Sequence, residues 1–186
     1  MVSVVVPFRA EGKTRLPEEI RNDLARAMLA DVVAAALELG RVLVVGGDAE
    51  AVPTGAEAVA DPGGGQGAAV AAALTLVHGH VLVVNADLPC ATPEALHRLR
   101  ASGPALVAAA DGTTNALSLP DPARFQPLYG PRSAARFAAV GLVPVAISEL
   151  ALDVDTLDDL DQLAHPLGPR TALVLNQHKL VPARAR

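Results

Sequence analysis

Short continuous apolar runs, each closed by glycine, proline or a polar residue, alternate with stretches in which apolar positions recur every three or four residues. Val2 to Val6, interrupted only by Ser3, is such a run, ended by Pro7, the pattern of a strand buried on both faces. A polar, glycine-containing loop, Arg9 to Leu16, follows. From Pro17 to Leu39 the residues Ile20, Leu24, Ala27, Met28, Val32, Ala35 and Leu39 predict a helix. Pro17 suits its first turn, Glu18 and Glu19 its positive end, and Gly40 its stop. Arg41 to Val45 predicts a second strand, and Glu57 to Ala60 a short third one. The glycine-rich loop Asp61 to Gly67 then leads into a buried helix over Ala68 to Val77. His80 to Val84 predicts a strand that delivers Asn85-Ala86-Asp87. Thr92 at N-cap and Pro93 at N1 start a helix running to Arg100. Two strands, Ala105 to Ala109 and Ala116 to Leu119, flank the turn Asp111-Gly112. Beyond them the pattern gives a helix over Ser133 to Val140 and a strand over Val143 to Ile147, then a helix capped by Thr156 and running through Leu163. Strands alternating with helices predict an α/β fold of three layers, a mostly parallel sheet with helices on both faces. Residues 1–178 read as one domain and 179–186 as a loose basic tail.

Composition narrows the function. A chain of 186 residues that is 51% hydrophobic can bury roughly 70% of its extended surface and needs no staples. Aromatic residues are only 2%, Trp is absent and the net charge is −5, which argues against nucleic acid as a partner. The single cysteine forms no internal disulfide and suits a reducing compartment. The first apolar run lacks the basic start and the length of a secretion signal, and no charge-free apolar stretch is long enough to span a bilayer. The expected location is cytoplasmic, with no membrane partner and a homo-oligomer left open. Arg outnumbers Lys and Ala is abundant, as expected of a GC-rich genome.

In an open α/β sheet, ligands bind at the carboxyl ends of the strands. Those ends carry Pro7 with Lys13 and Arg15 beyond it, then Asp61 with Gly64 and Gly67, and then Asp87. Asp153-Val154-Asp155 lies further on. A basic loop, a glycine loop and three carboxylates on one rim suit a polyphosphate with metal. Asp153 and Asp155 stand two apart, so in extended chain both face one side, and paired carboxylates there favour magnesium or manganese. Plainer readings stand beside these: Asp87 as a turn aspartate, Asp155 as a helix cap, Lys13 and Arg15 as a solvated loop. The glycine run fits neither the Walker A nor the dinucleotide pattern, and serves best where backbone must approach a ligand closely. Gly130-Pro131-Arg132-Ser133 offers amides and a hydroxyl at a helix start, and Thr113-Thr114-Asn115 offers donors from a neighbouring loop. Cys90 has no histidine placed to activate it and reads as a small buried hydrophobe.

Taken together, VPFRAEGKTRL, ADPGGGQGAAV, VVNADLPCATPEAL, DGTTNALSL, FQPLYGPRSAARF and LDVDTLDDL resemble one family. It is the phosphoenolpyruvate or 2-phospho-L-lactate guanylyltransferases of coenzyme F-420 biosynthesis. The resemblance runs to about Leu175. It implies a nucleotidyltransferase fold like that of the molybdenum-cofactor guanylyltransferases, GTP as donor, and a small phosphorylated carboxylic acid as acceptor. It also implies Asp87, Asp153 and Asp155 as magnesium ligands, Thr114, Gly130 and Ser133 around the acceptor, and Lys13 and Arg15 around the triphosphate. Lys13, Arg15 and Asp87 become the catalytic candidates. Pro7, Asp61, Gly64 and Gly67 join Lys13 and Arg15 as the nucleotide-binding ones. Arg9 stands where the family often has Lys, and the glycine loop is richer in Gly than expected. Phosphoenolpyruvate is favoured as acceptor by association with a GC-rich source. Two rivals remain: a molybdopterin or sugar-phosphate nucleotidyltransferase of the same fold, and a non-catalytic nucleotide-binding protein.

Overall fold

The computed structural model describes residues 2–9, 15–47 and 49–180. Strands β1 (Val2–Pro7), β2 (Gly40–Val45), β3 (Glu57–Val59), β4 (Val81–Val84), β5 (Ala105–Ala108), β6 (Thr114–Leu119) and β7 (Val143–Pro144) form one sheet in the order β3-β2-β1-β4-β6-β5-β7. All neighbours run parallel except β6, which is antiparallel to both β4 and β5. The helices are α1 (Glu18–Leu37), α2 (Gln66–Leu74), α3 (Pro93–Ala101), α4 (Ser133–Ala139), α5 (Leu157–Gln162) and α6 (Pro169–Gln177).

The centre of the sheet is buried on both faces, which is why positions 4–6 of β1, 42–45 of β2 and 81–84 of β4 are apolar without alternation. Val4 and Val6 pack on α1 and α3 with Leu29, Val33 and Leu96. Val5 points the other way into Ala69, Val70 and Phe137 of α2 and α4. A third cluster joins Leu24 and Met28 of α1 to Val154, Leu160 of α5 and Leu175 of α6. Among the described residues no helix is long and apolar enough to cross a membrane.

The boundaries differ from the sequence expectation in four instructive places. Gly40 opens β2 instead of stopping α1, because it pairs with Val2, whose carbonyl oxygen would lie 2.3 Å from a Cβ there. Helix α2 begins at Gln66, so Gly67 lies in its first turn, packed against Pro127. Thr114 and Asn115 belong to β6 and not to a loop, since pairing of Val84 with Ala116 continues through an Asn85 N–H donated to the Asn115 carbonyl at 2.9 Å. Helix α6 has no counterpart among the predicted elements. Its first N–H groups are satisfied from a distance: the buried Asp31 carboxylate of α1 accepts from the backbone of Arg170 at 3.1 Å and Thr171 at 2.8 Å.

Candidate active site

Strand order reverses between β1 and β4: from β1 the chain crosses to β2 on one side, and later enters β4 on the other. In an open sheet such a switch point leaves a crevice at the carboxyl ends of the two central strands. A cavity of about 250 Å³ occupies it. Its walls are Pro7, Phe8 and Arg9 after β1, Val45 of β2, Asp61, Gln66 and Ala69 around the start of α2, Asn85 to Asp87 after β4, and Asp155. Ala25 and Met28 of α1 give it an apolar side, and the aspartates an anionic one.

Three carboxylates converge at the anionic side. Asp87, Asp153 and Asp155 each offer an oxygen, and these oxygens all lie within 4.8 Å of one another, with each residue half-buried. Local rules bring them together. Val154 is fully buried, so extended chain around it turns Asp153 and Asp155 toward the same side. The Val154 N–H donates to the Asp87 carbonyl at 3.1 Å, which pins that segment onto the turn after β4. Asp155 is not the helix cap. Thr156 caps α5, accepting from the Asp159 N–H, while the Asp159 carboxylate accepts from the backbone N–H of both Asp155 (2.9 Å) and Thr156 (2.7 Å). Burial pushes the Asp159 carboxyl up, but these donors outweigh it and hold the group below its ordinary range. The Asp155 side chain is thereby left to face the cleft. Such a set of hard oxygen donors fits a divalent cation of the magnesium class.

The neighbouring side chains fix the carboxylates or face the cavity. Arg15 pairs with Asp155. The Thr113 hydroxyl and N–H hold Asp111 below the usual carboxylate range, with a smaller pull from Arg15. Arg9 bridges to Asp61 at 3.2 Å, and Asp61 also accepts from the Gly63 N–H at 2.8 Å. Asn115, 1% exposed, donates to the Leu150 carbonyl at 3.1 Å and to Asp153 at 3.4 Å. Next to it on β6, the Thr114 and Ser133 hydroxyls are buried and lie 2.9 Å apart. Gly130, with φ 110°, accepts from the Ser133 N–H through its carbonyl at 3.0 Å.

Comparison with known proteins decides the family. Residues 23–176 match the MobA-like NTP transferase domain. A phosphoenolpyruvate guanylyltransferase of Thermomonospora curvata is 39% identical, with 91% of this chain and 86% of that protein covered. One from Geodermatophilus obscurus is 37% identical over 93% of both. A 2-phospho-L-lactate guanylyltransferase of Methanoregula boonei is 33% identical, covering 86% of this chain and 80% of its own. The chain belongs to the MobA-like nucleotidyltransferases, in the group of phosphoenolpyruvate and 2-phospho-L-lactate guanylyltransferases. Solved structures bear out the fold. A nucleotide-diphospho-sugar transferase from Desulfovibrio desulfuricans superposes with a TM-score of 0.65 at 22% identity, covering 96% of each chain. The 2-C-methyl-D-erythritol 4-phosphate cytidylyltransferase from Thermus thermophilus gives 0.56 at 17%, covering 96% of this chain and 98% of its own.

For a nucleotidyltransferase, the distribution of the candidate residues matters. Pro7, Asp61, Asp87 and Asp155 line the cavity; Gly64 and Gly67 do not, whereas Gln66 between them does. Thr114, Gly130 and Ser133 form a separate group beside β6. Lys13 lies outside the described residues, as does the expected tail 179–186 except for Lys179 and Leu180. Gln66 and Asn85 escaped the sequence reading, and Asn115, expected as a donor from a loop, is a strand residue that donates to Asp153. Asn85 carries one usable signal, a side-chain amide ending an apolar strand two residues before a candidate ligand.

Proposed function

We propose that this enzyme transfers GMP from GTP to the phosphate of a small phospho-acid, releasing pyrophosphate, as a step in coenzyme F-420 biosynthesis. Phosphoenolpyruvate is the favoured acceptor and 2-phospho-L-lactate the next. The observation that carries the reading is the convergence of Asp87, Asp153 and Asp155 at one end of a cavity at the sheet's switch point. Relatives carrying the phosphoenolpyruvate guanylyltransferase name, at 37 to 39% identity, support the choice of donor and acceptor.

The chemistry is an in-line displacement at the α-phosphorus. A phosphate oxygen of the acceptor forms the new P–O bond, the bond to the bridging oxygen breaks, and its electron pair leaves with pyrophosphate. A phosphate monoester has a second pKa of about 6, so at neutral pH it is already a nucleophile and needs no general base. Repulsion between the anionic reactants is the barrier to overcome, at about 4 kcal/mol per pair of unit charges 4 Å apart in an effective dielectric of 20. A divalent cation on Asp87, Asp153 and Asp155, magnesium or alternatively manganese, supplies that neutralisation when bound. Arg15 and Lys13 serve the leaving phosphates. The Thr114 and Ser133 hydroxyls, joined at 2.9 Å, and Gly130 are the seat assigned to the acceptor phosphate. Asn115 holds Asp153 in place for the cation. The enzyme works in the cytoplasm, with no nucleic acid or membrane partner.

The test is pyrophosphate release from GTP and magnesium with phosphoenolpyruvate, 2-phospho-L-lactate and 3-phosphoglycerate offered in turn. Turnover with phosphoenolpyruvate above the other two is the expected result. Turnover only with a molybdopterin or a sugar phosphate overturns the acceptor class, and GTP binding without turnover on any acceptor overturns the enzymatic reading.

A further inference from the structure

We propose that Asn85 is a positioning residue whose side-chain amide couples the nucleotide side of the cleft to the acceptor side, so that bound GTP tightens the seat of the phospho-acid. This rests on the guanylyltransferase reading above. Asn85 closes β4 two residues before Asp87 and lines the cavity. Its Oδ1 accepts from Gln66 Nε2 at 2.7 Å, and its Nδ2 donates to the Thr114 carbonyl at 3.2 Å. A carbonyl oxygen only accepts, so the Asn85 NH2 must face Thr114. Its oxygen must then face Gln66, which has to donate. One amide therefore spans two elements with both of its polar ends in fixed roles.

The two elements serve different substrates. Gln66 is the first residue of α2, directly after the glycine run, and faces the cavity. Thr114 carries the hydroxyl paired with Ser133 at 2.9 Å, and the Ala134 N–H of α4 donates to the Gly112 carbonyl at 3.2 Å. The next residue, Asn115, donates to Asp153 of the carboxylate cluster. A nucleotide that orders Gln66 thus restrains, through a single side chain, the short segment holding both the acceptor hydroxyls and a cation ligand. Direct hydrogen bonds carry this link, without a chain of inferred intermediates.

Binding is the readout, because coupling between two ligands is an equilibrium quantity. The Kd of phosphoenolpyruvate is measured by calorimetry in magnesium, with and without saturating α,β-methylene GTP. For the native enzyme the analogue is expected to tighten it by about fivefold or more. Asn85→Ala and Gln66→Leu are each expected to bring that ratio to about 1 while melting within a few degrees of the native protein. A merely structural role would lower the melting temperature and leave the ratio intact. Gln66 is half-buried at a helix start, so Gln66→Leu keeps the test decisive if Asn85→Ala does not fold. A native ratio of 1, or variants that retain the native ratio, overturn the proposal. Absence of pyrophosphate release by the native enzyme with any phospho-acid overturns instead the reading beneath it.

Discussion

Asp87→Asn tests the carboxylate cluster most sharply, because stability and turnover should move in opposite directions. Three carboxylate oxygens within 4.8 Å of one another repel. At that separation each pair costs about 3.5 kcal/mol in an effective dielectric of 20, and neutralising Asp87 relieves two pairs. Half-exposure, salt and the Arg15 guanidinium on Asp155 reduce the net relief to about 1–2 kcal/mol. In a domain of this size that raises the melting temperature by about 2–8 °C, measured in chelator with the side-chain shape unchanged. Magnesium should then stabilise the native protein, by about 2.7 kcal/mol at a hundred times its Kd, and leave the variant nearly unmoved. Turnover goes the other way. Losing a ligand forfeits several kcal/mol of transition-state charge stabilisation, so pyrophosphate release should drop by about 10³-fold. A variant that melts below the native protein in chelator, or releases pyrophosphate within threefold of it, would show that these carboxylates are not a cation cradle.

Three further outcomes test the fold around the site. Gly168→Ala would set a Cβ 2.3 Å from the Asp31 carboxylate and push it off the N-terminal amides of α6, at a cost of about 2 kcal/mol or more in urea unfolding; an unchanged midpoint refutes that capping role. Cys90 is 3% exposed and burial pushes its thiol up to about 11, so at pH 8 only about 0.1% is thiolate. A disulfide reagent should therefore label it no faster than the protein unfolds, and rapid labelling of the native state contradicts this. Burial, helped by Arg100, lowers the pKa of His80, so the unfolded chain binds the extra proton first and stability must fall as pH drops below about 6.5. His80→Asn should flatten that slope, and an equal slope in both proteins places the titration elsewhere.

Legibility in the sequence followed the range of the forces involved. Apolar runs closed by Pro7, by Gly46 and by Asn85 mark strands because burial on both faces leaves almost no polar position inside them, Ser3 being the exception. Asp153 and Asp155 could be read as one face because Val154 between them had to go into the core, and that is a two-residue rule. Helix α6 was illegible for the opposite reason: the side chain that satisfies its first amides, Asp31, lies 139 residues before Arg170. The same limit hid the cleft's internal wiring. Thr92 and Thr156 announce themselves as caps through neighbours three residues away. Nothing near Gln66, Asn85 or Asn115 in sequence says that they meet Asn85, Thr114 and Asp153 respectively. Arg15 shows the consequence for function. A loop arginine reads simply as a phosphate ligand, yet here it pairs with one of the three carboxylates, so its charge also serves the anionic cluster, beside the role toward the polyphosphate proposed above. Neutralising it should weaken GTP binding and also raise the repulsion among the aspartates. Arg15→Gln should therefore bind GTP more weakly in magnesium and melt lower in chelator, and a variant unchanged in both would refute the dual role.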